Sequence, residues 1–190
     1  TLSKIHSIAR KKEFGWITDD QVLANPKFID YIKSEYKRLL PDLEILPEVI
    51  LKKIVSKVED AIKVIEERTD KVEISNLCWY DINADNIIVG NNNGKYYLKG
   101  LLDPGGARYG IAEWDLAFIK IEWLKNDSEF NAIIKNYEEV TNKKVDLELL
   151  NALSVIVELN NISFVLVDRI KLPIPYNSKF KTEFEYIYNN

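Results

Sequence analysis

Three side chains are spaced as a phosphoryl-transfer site requires. Asp81 precedes Asn86 by five positions at the start of an apolar run, Ile87-Ile88-Val89, and Asp103 follows a second apolar run. One carboxylate can orient a substrate hydroxyl and accept its proton, while an amide and a second carboxylate supply the oxygen ligands that Mg²⁺ prefers beside a triphosphate. The pattern predicts Asp81 as a catalytic base and Asn86 and Asp103 as metal ligands.

A β-hairpin would bring these residues together. The sequence Asn91-Asn92-Asn93-Gly94 separates Ile87-Ile88-Val89 from Tyr96-Tyr97-Leu98, and an Asn-Gly pair between two apolar runs predicts a hairpin turn. Both ends of a hairpin lie on the same side of the fold. Asp81 and Asp103 could therefore share one metal ion although they are distant in the sequence.

Helices are predicted on both sides of this hairpin. Before it, the patterns indicate helices over residues 2–12, from Pro26 with Asn25 as N-cap to about Leu40, and from Glu48 to about Thr69. After it they indicate helices over 113–124, 128–140 and 145–170, the last ended by Pro173 and Pro175. The last helix is apolar on nearly every face, and its Glu, Asn and Asp residues favour a buried core helix over a membrane span. The predicted fold class is α+β and mainly helical.

These residues resemble a known family. Asp81-x-x-x-x-Asn86, Leu102-Asp103 and Asp115-Leu116-Ala117 are similar to the aminoglycoside phosphotransferase and choline kinase-like family, whose consensus reads roughly His-Gly-Asp-x-x-x-x-Asn, Ile-Asp and Asp-Leu-Ala. Asp-Pro at 103–104 with Tyr109-Gly110 is similar to the fructosamine kinase branch, and Leu2-x-x-Ile5-His6 looks like the helix after the hinge between lobes. The resemblance covers about residues 1 to 125.

The family resemblance implies a fold, a reaction and further site residues. It implies a protein-kinase-like fold in which ATP and Mg²⁺ support transfer of the γ-phosphate to a hydroxyl of a small, amine-bearing molecule of the aminoglycoside, choline or fructosamine type. It also implies that Asp115 hydrogen-bonds the backbone of the catalytic loop. Asp85 and Arg108 are candidates for contact with substrate or phosphate. A solvated loop residue is the favoured alternative for Asp85, and Arg108 could equally pair with Glu113.

The chain departs from the family pattern in two ways. Trp79 and Tyr80 occupy the positions where the family has His and Gly, and the chain contains neither a Gly-x-Gly-x-x-Gly loop nor a Val-Ala-x-Lys strand. We therefore expect residues 1–190 to form one domain, the C-terminal lobe, from which the N-terminal ATP-binding lobe is missing. An apolar patch near Ile5, Ile8 and residues 98–102 would mark where that lobe packs. A non-catalytic kinase-like binding module is the alternative, and a protein kinase proper is disfavoured because no Ala-Pro-Glu follows.

Composition limits the other function classes. A net charge of -4 and a pI of about 5.2 argue against nucleic acid as a partner, because phosphate contacts require clustered Lys and Arg. One histidine, His6, and one cysteine, Cys78, are too few for a zinc site or an internal disulfide, so we expect a packing or capping role for His6. Cysteine usage and the lack of a secretory signal pattern lead us to expect a cytoplasmic protein that contacts neither nucleic acid nor membrane.

Overall fold

The computed structural model of the protein describes residues 2–17, 25–82, 84–123 and 126–169. In these ranges the helices are α1 (Leu2–Ile8), α2 (Phe28–Leu43), α3 (Glu48–Thr69), α4 (Ala112–Trp123), α5 (Asp127–Thr141) and α6 (Leu147–Arg169). The strands are β1 (Arg10–Lys11), β2 (Gly15–Trp16), β3 (Ser75–Cys78), β4 (Ile87–Asn92), β5 (Lys95–Leu101) and β6 (Arg108–Gly110). The fold is α+β and mainly helical, so the predicted fold class is confirmed.

The strands form two small antiparallel sheets. One sheet has four short strands in the order β1-β3-β6-β2, and the other is the β4-β5 hairpin. In the hairpin Ile87 lies opposite Leu101, and the turn residues Asn93 and Gly94 have φ values of 51° and 83°. Two successive positive φ angles define the tight hairpin turn that Asn-Gly favours. The predicted hairpin is confirmed, with strands longer than the apolar runs suggested.

Helix α6 is the centre of the core. Its residues Leu153, Val157, Leu159 and Ile162 are fully buried, and the helix packs against α2, α3 and α4. Within the described residues it alone is long and apolar enough to cross a membrane by length and composition, but 67% of its most apolar window is buried inside the protein. Burial by three neighbouring helices accounts for an apolar surface that extends around most of α6.

Two predicted helix boundaries were wrong because β contacts compete with helix formation. Helix α1 ends at Ile8 instead of residue 12, since Arg10 pairs with Asn76 in the four-stranded sheet. Helix α2 begins at Phe28 instead of Pro26, because Asn25 exchanges two backbone hydrogen bonds with Phe14 at 2.8 and 2.9 Å. Tertiary pairing thus overrides the Asn-Pro helix-start signal.

The remaining helices follow their sequence patterns closely. Helix α3 has the predicted bounds; Val49 near its start is 69% exposed, and its buried apolar stripe begins at Ile54. Helix α2 continues to Leu43 through Pro41, because Leu39 and Leu43 on its last turns are buried in the core. Leu124, Ile170 and the two prolines predicted to end the last helix lie outside the described residues.

Candidate active site

The segment between β3 and β4, residues 79–86, carries two of the predicted site residues; we call it the acidic loop. It is described except for residue 83, and a 3₁₀ turn over Ala84–Asn86 leads into β4. The side-chain Nδ2 of Asn86 donates to the Asp81 carbonyl oxygen at 3.2 Å and to Asp81 Oδ2 at 3.3 Å. These two contacts tie the ends of the acidic loop together and hold both side chains on one side of it.

The end of β5 brings the third predicted residue to the same place. The Leu102 N–H donates to the Asn86 carbonyl oxygen at 2.8 Å, so Asp103 follows immediately beside the acidic loop. Asp103 has φ 55°, and its Oδ1 accepts from the Gly105 N–H at 3.2 Å. A Cβ on Gly106 would lie 3.1 Å from the Cβ of Asp81, so this turn packs directly on Asp81. The structure therefore brings Asp81, Asn86 and Asp103 together at the mouth of the hairpin.

Solvent can reach this cluster of polar side chains. Asp103 and Asp85 are exposed, while Asp81 and Asn86 are half-buried. Exposure leaves room for a hydrated cation and a phosphate chain, and an amide with two carboxylates is a donor set that suits Mg²⁺. Asp85 lies on the 3₁₀ turn, facing solvent beside the cluster.

A buried carboxylate supports the acidic loop from below. Asp115, on α4, is fully buried; its Oδ1 accepts from the Tyr80 N–H at 2.7 Å and its Oδ2 accepts from the Trp79 N–H at 2.9 Å. His6 Nε2 lies 3.0 Å from the same Oδ2, and His6 Nδ1 lies 2.7 Å from the Tyr137 hydroxyl. Asp115 thus fixes the backbone directly before Asp81.

The single histidine and single cysteine meet at this carboxylate. The ligand atoms of His6, Cys78 and Asp115 lie within 4.8 Å of one another. Both His6 nitrogens are hydrogen-bonded, and the Cys78 thiol donates to the Ile111 carbonyl oxygen at 3.2 Å. Burial raises the pKa of the Cys78 thiol, which keeps it protonated and a poor metal ligand. We therefore describe the three residues as a buried hydrogen-bond network.

Tyr80 occupies a backbone conformation that ordinarily favours glycine. Its φ is 65°, and the N–H of Asp81 turns back to the Trp79 carbonyl oxygen at 2.9 Å. For a residue with a side chain this conformation costs about 1–2 kcal/mol. The Tyr80 ring is buried against Trp114 and Phe118, with ring centroids 5.7 and 5.1 Å apart. Packing of the ring offsets the backbone strain.

Arg108 is enclosed by aromatic rings. Its guanidinium carbon lies 3.6 Å from the ring centroid of Trp16 and 3.5 Å from that of Tyr80, and the side chain is only 1% exposed. It donates through Nη1 to the Tyr31 hydroxyl at 2.7 Å and through Nε to the Gly106 carbonyl oxygen at 3.0 Å. Arg108 therefore links the turn after Asp103 to the ring of Tyr80. The burial of Arg108 argues against the candidate contact with phosphate. Its hydrogen-bond partners are the Tyr31 hydroxyl and the Gly106 carbonyl oxygen, so they also differ from the alternative partner, Glu113.

Sequence reasoning missed the parts of the site that depend on distant pairings. His6 and Asp115 are 109 positions apart, and Arg108 and Tyr31 are 77 apart. An aromatic residue beside Asp81 was the only available signal for the ring stack around Arg108. That residue, Tyr80, indicated a departure from the family pattern but not which side chains would surround it.

Comparisons with known proteins agree with this fold. The family model of the phosphotransferase enzyme family matches residues 1–143. The aminoglycoside phosphotransferase APH(4)-Ia superposes with a TM-score of 0.67 at 15% identity, covering 99% of this chain and 61% of that one. A putative fructosamine-3-kinase from Haemophilus somnus 129PT has a TM-score of 0.56 at 12% identity, covering 98% of this chain and 60% of that one.

A third solved structure is a thermostable mutant of APH(4)-Ia in ternary complex with AMP-PNP and hygromycin B, with a TM-score of 0.66 at 14% identity and coverage of 99% and 61%. The chain thus spans about three-fifths of the length of the solved proteins it resembles. No curated protein sequence matches it significantly. Because the family model covers more than half of the residues, the chain belongs to the phosphotransferase enzyme family.

Proposed function

We propose that this protein is an ATP- and Mg²⁺-dependent phosphotransferase that phosphorylates a hydroxyl of a small, amine-bearing molecule. The observation that carries the proposal is the convergence of Asp81, Asn86 and Asp103 at the mouth of the hairpin, with Asn86 Nδ2 at 3.2–3.3 Å from Asp81. Family membership and structural neighbours solved with AMP-PNP support the use of ATP. The acceptor class rests on the neighbours' names, an aminoglycoside phosphotransferase and a putative fructosamine kinase, and on the acidic balance of the chain.

In the proposed reaction Asp81 orients the acceptor. Its carboxylate accepts a hydrogen bond from the acceptor hydroxyl, whose oxygen forms a bond to the γ-phosphorus while the bond from that phosphorus to the β,γ-bridging oxygen breaks. The hydroxyl proton passes to Asp81 late in the step, and ADP leaves. Asn86, through its amide oxygen, and Asp103 would hold the Mg²⁺, which neutralises charge on the phosphates. Asp115 and Arg108 act through the backbone around Asp81, and Asp85 remains a candidate contact for substrate.

We further propose that the chain is one lobe of a two-lobed, cytoplasmic protein. The support is its coverage of about 61% of APH(4)-Ia and the absence of a glycine-rich phosphate loop from the sequence. The expected apolar patch is present in part: Ile8 is 71% exposed and Leu102 48% exposed, whereas Ile5 is buried. On the hairpin, Val89, Tyr96 and Tyr97 are exposed as well. Such a surface suits the packing of a second lobe.

Replacing the proposed base tests this function. In the full-length protein, Asp81→Asn should lower kcat at least about 10²-fold, equivalent to about 2.7 kcal/mol of transition-state stabilisation, since it keeps the shape but cannot take the proton. Transfer of labelled phosphate from ATP to a panel of cationic, hydroxyl-bearing acceptors measures kcat, and the melting temperature should not change. Asp60→Asn, on α3 and 69% exposed, is the matched control and should remain near wild type, whereas Asp85→Asn tests the other aspartate of the acidic loop. If Asp85→Asn loses activity and Asp81→Asn does not, the assignment of Asp81 as the base is wrong.

Metal binding is tested separately. Asp103 is exposed, so Asp103→Ala should leave the fold intact and abolish the Mg²⁺ dependence of nucleotide affinity measured by isothermal titration. Equal Mg-ATP affinity in the variant and the wild type would remove Asp103 as a ligand. If wild type binds Mg-ATP but phosphorylates none of the acceptors, the alternative of a non-catalytic binding module, which Trp79 and Tyr80 favour, becomes the better account.

A further inference from the structure

A cavity lies away from the acidic loop. It has a volume of about 550 Å³ and opens between α1, the start of α4 and the end of α5; we call it the α1-α5 cavity. Asp81, Asn86 and Asp103 are not among the residues that line it. Its volume lies within the range of small-molecule pockets. Nothing in the proposed phosphotransfer reaction uses this cavity.

The lining of the α1-α5 cavity is positively charged. Lys4, Arg10, Lys143 and Lys144 line it, against one carboxylate, Glu113. Lys144 is neutralised by Glu138 at 2.6 Å. Within the described part of the chain no ion pair engages Lys4, Arg10 or Lys143. A local excess of cations in a chain of net charge -4 is opposite in sign to the whole molecule, and it would attract an anion.

Apolar walls and two polar groups complete the cavity. Ile111 and Val145 in its lining are buried, while Ile74 and Val140 on its walls are 51% and 63% exposed. The hydrogen-bonded pair of His6 and Tyr137 also lines it. Apolar walls with a few convergent polar groups are typical of sites for organic ligands. The lining therefore fits a molecule with an anionic group and an apolar body.

We propose that the α1-α5 cavity binds a small organic anion, a carboxylate or phosphate ester, through Lys4, Arg10 and Lys143. The floor of the cavity also reaches the acidic loop, because His6 contacts Asp115 at 3.0 Å and Asp115 holds the Tyr80 N–H. A ligand that contacts His6 would therefore be connected, through Asp115, to the backbone directly before Asp81.

Binding of model anions to the full-length protein tests the proposal without nucleotide or Mg²⁺. We would titrate benzoate and phenyl phosphate, with benzyl alcohol as a neutral compound of similar shape, and follow the backbone amide resonances of residues 137–145. Both anions should give saturable shifts in this segment, and benzyl alcohol should bind at least about tenfold more weakly because it lacks the charge. Saturation by only one of the two anions would support the proposal and assign that chemical class.

Charge variants make the test specific. The double variant Lys4→Gln/Lys143→Gln should weaken anion binding at least about tenfold, while Glu113→Gln should strengthen it. Lys135→Gln is the matched control, since Lys135 lies on the same helix as Tyr137, is 78% exposed and does not line the cavity. The proposal is overturned by the absence of saturable shifts with either anion, by equal binding of benzyl alcohol, or by wild-type affinity in the double variant.

Discussion

Removal of the buried carboxylate of Asp115 should destabilise the protein by an amount that the hydrogen bonds predict. In Asp115→Ala the N–H groups of Trp79 and Tyr80 and the Nε2 of His6 lose their partner together. Each buried polar group left without a partner costs about 1–3 kcal/mol, so the loss of three partners should lower the free energy of unfolding by about 3–9 kcal/mol. That loss is a large part of the stability of a typical domain.

Asp115→Asn should cost less, for a reason visible in the geometry. Oδ1 serves Tyr80, whereas Oδ2 serves both Trp79 and His6, so in either orientation of the amide one backbone N–H loses its acceptor and faces an NH₂ group. The expected loss is about 1–3 kcal/mol. His6 can adapt by changing tautomer, because its Nδ1 partner is the Tyr137 hydroxyl, which both donates and accepts.

Urea unfolding measures these losses, and amide hydrogen exchange at positions 79 and 80 locates them. Exchange at both amides should accelerate in Asp115→Ala more than in the rest of the chain. The matched control is Asp60→Asn on α3, which is 69% exposed and should change stability by less than about 0.5 kcal/mol. A loss below about 1 kcal/mol in Asp115→Ala, or unchanged exchange at these amides, would refute the reasoning.

Three further predictions concern buried groups. Tyr80→Gly should lower the free energy of unfolding by about 3 kcal/mol, since the lost ring costs about 4 and relief of the backbone returns about 1, and a stability equal to wild type in urea unfolding would contradict the packing argument. Burial raises the pKa of Glu113, so its contribution to stability is present below the ordinary Glu pKa and lost as pH rises through the folded pKa. Relative to wild type, Glu113→Gln should therefore become more stable as pH rises above the ordinary Glu pKa of about 4.3, and a constant difference would exclude the shift. The buried Cys78 thiol, with its raised pKa, should react with iodoacetamide at least about 10²-fold more slowly in the native protein than in urea, and rapid native labelling would disprove its enclosure.

Local pattern predicted the elements that position the site. The Asn-Gly turn and its flanking apolar runs gave the β4-β5 hairpin, and the apolar stripe of α3 gave that helix from Glu48 to Thr69. Helix starts failed where distant strands compete, as at Asn25, whose backbone pairs with Phe14. Periodicity reports how a segment packs on average and contains no information about a partner that lies far away in the sequence.

The same contrast between local pattern and distant pairing applies to the site residues. Spacing and hairpin geometry sufficed to predict that Asp81, Asn86 and Asp103 would converge, because a turn joins them. Charge alone could not show that Arg108 would be buried. Whether an arginine faces solvent or stacks between Trp16 and Tyr80 depends on rings brought from two other parts of the fold.

The stack around Arg108 has a consequence for how relatives of this protein vary. The ring at position 80 covers one face of the Arg108 guanidinium. Packing of this ring also offsets the strain of a left-handed backbone conformation, which glycine would adopt at no cost. A change to glycine at position 80 alone would relieve the backbone strain but uncover the buried Arg108 guanidinium. Substitutions at positions 80 and 108 are therefore coupled. Related sequences should therefore carry either an aromatic residue at 80 with arginine at 108, or glycine at 80 with an uncharged residue at 108. Sequences that combine glycine at 80 with a buried arginine at 108 should be rare.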